Sequence, residues 1–160
     1  LNITMALEDK VNEILGLEPA KTPTEKKEFQ PPVPRTEDKN NPDIDFYDYT
    51  KRANLYKKFL LCRNDLEIQK AWNWPENYHL IYSFSEKTKL SDACSFLERN
   101  GKIAIVFNEI PKTWNPYGIG KSYEIINGDK HDLRILDKTG VVIGLKAKGP
   151  ARKLVSSFVQ

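Results

Sequence analysis

The pattern of apolar and polar positions divides the chain near residue 43. Before that point one short stripe stands alone: Leu7, Val11, Ile14 and Leu15, at i, i+4, i+7 and i+8, predict a helix over residues 5–16. Thr4 is placed to cap it, Glu8 and Asp9 sit where the helix dipole favours anions, and Gly16 is a stop signal. So narrow an apolar face is marginal by itself and reads as a docking peptide or a frayed terminus. From 18 to 42 the pattern is lost. Pro19, Pro23 and the Pro31-Pro32-Val33-Pro34 run favour extended polyproline geometry and block helix and inner-strand pairing. Pro31 and Pro34 also have Pro-x-x-Pro spacing, but a stiff spacer is the simpler role.

After residue 43 both periodicities return. Ile44 to Tyr49 alternates and is rich in aromatics, as a strand would be. Phe46, Tyr49, Ala53, Tyr56 and Leu60 recur at intervals of three and four, as in a helix. The two patterns overlap, and they are best reconciled by a strand at 44–50 running into a helix at 53–62. Tyr78 to Ser85 predicts a strand, Ser91 to Gly101 a helix ended by glycine, and Lys102 to Phe107 a buried strand. Strand, helix and strand in so short a span predict a βαβ unit with a parallel pair. A Pro/Trp/Gly loop at 111–120 follows. Short strands are then expected at 122–126 and 132–136, a turn at Lys138-Thr139-Gly140, and a last strand at 141–146.

Composition sharpens that division. Of the 160 residues, the first 45 hold 6 Lys/Arg against 10 Asp/Glu and the remainder 19 against 12, so a net charge of +3 conceals −4 in front and +7 behind. The front also carries 6 of the 10 prolines and one of the 8 glycines. An acidic, flexible arm (1–42) therefore precedes a basic α/β domain (43–160). No apolar run approaches the roughly 20 residues a bilayer span needs. No secretory signal pattern opens the chain. Two cysteines, Cys62 and Cys94, supply neither a disulfide framework nor a four-thiolate metal site. The expected setting is a reducing one, without membrane, metal or cofactor.

Two clusters carry candidate chemistry. Asn127-Gly128-Asp129-Lys130-His131-Asp132 packs two carboxylates, an imidazole and an amine into one loop. His131 is the natural general acid–base group, Asp129 or Asp132 would orient it, and Arg134 would hold an anion. The competing reading is an Asx-type turn, with Asn-Gly supplying a positive φ and the aspartates capping backbone amides. The second cluster follows the last strand. Lys146 and Lys148 lie two apart, hence on one side of a strand, with Arg152 and Lys153 beyond. These four, with Arg134, are the candidate nucleic-acid contacts; the alternative is an edge guarded by lysines. Cys94 reads as a core residue, Cys62 as lying near the surface end of its helix, and His79 as a half-buried strand histidine. Trp72, Trp74 and Trp114 read as core or loop anchors ahead of base-stacking groups.

Some of these segments are familiar. Phe46 to Lys51, Tyr78 to Glu86, Ala104 to Phe107 and above all Asn127 to Asp137 followed by Gly140 to Gly149 resemble the C-terminal half of the gene-product-88-like bacteriophage proteins. That resemblance implies an α/β barrel distantly similar to radical-SAM enzymes, with its cysteine cluster in an N-terminal half outside this stretch. The covered residues are too few to close an eight-stranded barrel, so the expectation is a partial barrel or an open, mostly parallel sheet. Ala6 to Leu17, the acidic proline-rich spacer, Asp43 to Phe46 and Arg52 to Tyr56 are similar instead to the N-terminal region of small terminase subunits of T4-like phages, over residues 5–58. This second resemblance implies DNA packaging. Both point to a phage-encoded protein in the infected host cell. The expected role is accessory: association with phage DNA through the basic body, and with another phage protein through the N-terminal helix. The alternative is an enzyme, or the inactive remnant of one, with its site at 127–137.

Overall fold

The computed structural model describes residues 44–153. The acidic arm, the helix expected at 5–16 and the proline-rich stretch lie outside them. Six strands form one open sheet in the order β1-β2-β3-β6-β5-β4. They are β1 (Phe46–Thr50), β2 (Tyr78–Ser83), β3 (Lys102–Phe107), β4 (Thr113–Trp114), β5 (Tyr123–Asn127) and β6 (Val141–Lys146). Every pairing is parallel except the short β4–β5 edge. Three helices interrupt them: α1 (Ala53–Asn64), α2 (Leu66–Ala71) and α3 (Leu90–Glu98). The expected α/β class and open, mostly parallel sheet are what the chain adopts, and β2-α3-β3 is the βαβ unit.

Alternation along each strand sorts side chains onto two faces. Tyr78, Leu80 and Tyr82 of β2 and Ile103, Ile105 and Phe107 of β3 pack with Tyr56, Phe59 and Leu60 of α1 and Phe96 and Leu97 of α3. Their alternates, Ile81, Ala104 and Ile143, form a separate small core with Ile126 and Leu145. No helix among the described residues contributes to it. Parallel sheets are ordinarily covered on both faces. Here the second face is crossed by the connection 128–140, whose 3-10 turn at Arg134–Leu136 reaches β1. Tyr47 and Tyr49 remain 37% and 42% exposed at that edge.

That connection corrects the strand expected at 132–136. β5 and β6 are parallel neighbours, so the chain must return the length of the sheet before β6 can begin. A returning segment lies across the face and cannot pair between them. Arg134 turns inward and the backbone closes a 3-10 turn around it. The helix α2 was not evident from apolar spacing either. Asp65 creates it, ending α1 and accepting hydrogen bonds from the amides of Glu67 and Ile68 at 2.9 and 3.2 Å. The end of α3 also differs in detail. Asn100, not Gly101, takes the left-handed conformation (φ 61°). Gly101 is needed because a Cβ there would lie 2.6 Å from the carbonyl oxygen of Phe96.

Tyr56 links the helical layer to the sheet. Fully buried, its hydroxyl accepts from the Lys102 amide at 2.7 Å and donates to the Lys102 carbonyl at 2.8 Å. Burial pushes the phenol pKa far above its ordinary value, against the opposing effect of the backbone hydrogen bonds. Tyr56→Phe keeps the ring and strips both backbone groups of their partner. The expected loss is about 1–3 kcal/mol, read from urea unfolding with an unchanged m-value. A loss within about 0.5 kcal/mol would mean that water replaces the hydroxyl.

Candidate functional site

The crossover connection separates two concave surfaces, and the candidate residues distribute between them. The connection starts with an Asx turn in which the Asp129 amide donates to Asn127 Oδ1 at 2.9 Å. Gly128 does not take the positive φ that Asn-Gly suggested. Its lack of a side chain serves packing: a Cβ would meet Ile143 at 2.5 Å and Leu145 at 2.8 Å. The backbone therefore lies directly on the second core. Asp129 then ties the connection to the end of β6. Its carboxylate accepts from the Lys146 amide at 2.8 Å and from Lys148 Nζ at 3.0 Å. The Lys146 amide, followed by Lys148, holds the Asp129 carboxyl below its usual range.

Further along, Arg134 and Asp137 are buried together. Their side chains are 2% and 4% exposed, and Nη1 and Oδ2 stand 3.1 Å apart. The contact is one of charge, for neither atom has a well-aligned hydrogen bond. Arg134 Nη2 donates to the Gly128 carbonyl at 3.0 Å, which clamps the start of the connection to its middle. The guanidinium that the sequence offered to nucleic acid is thus placed in the interior, 2% exposed. His131 is half-exposed, and the carboxylate beside it is Asp137, with Nε2 3.6 Å from Oδ1. Asp129 faces β6 instead, and Asp132 is an exposed residue whose carbonyl accepts from the Arg134 amide.

One concave surface is a groove of about 530 Å³ between the segment 110–112, β5 and the outer side of the connection. Ile110, Ile125 and Ile126 supply its apolar lining, and Lys112, Lys130, His131 and Lys138 line it as well. Lys138 also reaches Glu124 at 3.2 Å. Lys112 precedes β4 whereas Lys130 and Lys138 both lie in the connection, eight residues apart, so no spacing rule groups the three. Only the return of the chain over the sheet does so. Beyond Asp129, Lys146 and Lys148 are exposed and the buried Ala147 separates them, so both present to solvent. Arg152 Nε donates to the Ala147 carbonyl at 3.0 Å, and Lys153 is the last residue of the 3-10 turn Gly149–Lys153.

The other surface is a cleft of about 320 Å³ on the inner side of the same connection. Arg63 of α1, His79 of β2 and Lys102 of β3 line it with Arg134 and Asp137. Lys102 Nζ donates to the Arg134 carbonyl at 2.7 Å and seats the turn. Burial lowers the Lys102 pKa, with Arg63 and Arg134 adding to the effect against Asp137. Burial and then Arg63 lower that of His79, against Asp45.

Neither cysteine is a nucleophile candidate. Cys62 is 1% exposed, contrary to the surface position expected for it, and burial pushes its thiol up to about 12. Cys94 is half-buried against the core. Among the described residues no group of three or more His, Cys, Asp or Glu side chains is placed to hold a metal ion. None of their helices is long and apolar enough to cross a membrane.

Compared with known proteins, residues 38–160 match the family model described as Gene product 88. No curated protein and no solved structure matches the chain.

Proposed function

The chain belongs to the gene product 88 family of phage proteins, and from that premise we propose that it is an accessory protein that associates with phage DNA, in packaging or recruitment. The observation that carries this reading is the groove that Lys112, Lys130 and Lys138 line together with three isoleucines. Phosphate contacts dominate the affinity of proteins for DNA, and lysines on a concave rim supply them without demanding a particular base sequence. Lys146 and Lys148 extend the positive surface past the Asp129 hinge. The exposed pair between Lys148 and Asp129 is of the kind that contributes little, so exchanging it for a phosphate contact costs little.

The test is DNA binding by the full chain, followed by fluorescence anisotropy on a duplex over a series of salt concentrations. Replacing Lys112, Lys130 and Lys138 together with Gln should weaken binding. It should also flatten the dependence of log K on log salt by about 0.9 per lost contact, near three in all. Lys146→Gln with Lys148→Gln should flatten it further, and thermal stability should stay near that of the parent. A triple variant with the parent's slope, or a parent that does not bind DNA, removes the reading.

A further inference from the structure

The cleft on the inner side of the connection is separate from the lysine groove and holds an unusual charge balance. Arg63, Arg99, Lys102 and Arg134 line it, and Asp137 is the carboxylate among its lining residues. At these positions cations exceed anions by three. Arg134 is buried beside Asp137, Lys102 is half-buried, and Arg63 and Arg99 are exposed, so the part of the excess drawn out of water is where a counter-charge is worth most.

The donors inside it are also not exhausted. Arg134 is 2% exposed, and its Nη1 has no aligned acceptor although Asp137 stands 3.1 Å away. Lys102 Nζ gives two of its three protons to the Arg134 and Ile135 carbonyls, at 2.7 and 3.4 Å. Arg63 uses one nitrogen on the Glu76 carbonyl and another on His79 Nδ1, at 3.2 and 3.0 Å, which fixes the guanidinium and the imidazole against each other. Three positively charged groups from α1, β3 and the connection thus converge on one space of about 320 Å³. That size falls at the lower end of small-molecule pockets, which span about 300–1,000 Å³.

We propose that this cleft binds a small phosphate-bearing anion, held by Arg63, Lys102 and Arg134, which line it together. A tetrahedral dianion accepts several hydrogen bonds at once, which suits donors arriving from different directions. It also offsets the excess charge. A free carboxylate offers fewer acceptors and half the charge.

The two histidines of the chain make the test internal, because His79 lines the cleft and His131 the groove. The full chain is titrated with inorganic phosphate against sodium chloride of matched ionic strength, while both imidazole signals are followed by NMR. The expected result is a saturable shift of the His79 signals and a rise of its apparent pKa. His131 should move only as it does in chloride. The melting temperature should rise with phosphate and continue to rise logarithmically after the His79 shift has saturated. Arg63→Gln, at an exposed helix position, should weaken phosphate binding by about tenfold or more. Arg99→Gln, fully on the surface, provides a second variant if the first is poorly folded, and it should weaken binding in the same direction. A His79 response no different from that in chloride overturns the proposal. So does a response confined to His131, or an affinity indifferent to both substitutions. Loss of DNA binding by the groove variants bears on none of these signals, so the two readings fail separately.

Discussion

Arg134→Ala is expected to cost about 3–5 kcal/mol, because it leaves the carboxylate of Asp137 buried without its positive neighbour. Asp137 is 4% exposed, so water cannot replace the guanidinium without opening the structure. The same change releases the Gly128 carbonyl, which Arg134 Nη2 now serves at 3.0 Å. The start and the middle of the connection therefore loosen together. The paired substitution Arg134→Met with Asp137→Leu removes both charges and keeps the volume, and it should recover most of the loss. Unfolding in urea of the single, the partner and the double variant forms a cycle that measures the coupling directly. A surface arginine offered to phosphate would behave otherwise, with a change within about 0.5 kcal/mol and a weakened salt slope. Near-parent stability in Arg134→Ala would therefore return the guanidinium to the surface and undo the geometry of both cavities.

The sequence was legible wherever local pattern and tertiary role agreed. β2, α3, β3 and β6 lie close to where alternation, helical spacing and turn residues put them, because each buries a regular face. The ambiguous stretch 44–62 resolved into strand and then helix for the same reason: Phe46 packs inward as a strand residue, and Tyr56, Phe59 and Leu60 as helix residues. What could not be read was long-range. The segment 132–136 has strand-like composition, yet β5 and β6 are parallel, and that relation lies in the topology, not in the segment. The cluster at 127–132 was visible as a crowd of titratable groups. Its division was not: Asp129 turns to β6, His131 to Asp137, and Arg134 inward. Of the lysine groove only Lys130, with His131, was marked in that cluster; Lys112 and Lys138 were not, since their approach to it depends on the fold. Lys102 and Arg63 of the cleft were likewise unmarked. Each sits at an element end, where hydrophobic periodicity carries no information about what a long side chain reaches.

The second core beneath the connection provides the other large effect. Ile143 is fully buried at the centre of the sheet, flanked by Ala104 of β3 and Ile126 of β5 and packed with Ile81 and Leu145. Ile143→Ala should cost about 2–5 kcal/mol, and Ile143→Val only about 0.5–1.5 kcal/mol. The high end is favoured, because hydrogen-bonded strands on both sides prevent the backbone from closing the cavity. Relief can come only from above, where Gly128 lies against the isoleucine so tightly that a single added Cβ would stand 2.5 Å from it. The connection should therefore settle toward the sheet in Ile143→Ala, and Arg134, bonded to the Gly128 carbonyl, should follow. This gives the substitution a signature that a cavity in the helical core would lack. Amide exchange in 128–137 should quicken beyond the global change, while α1 and α3 follow global stability alone. A uniform change in exchange over the whole chain would show that the connection is indifferent to its floor. In that event the packing of Gly128 would not be what positions the loop between its two cavities.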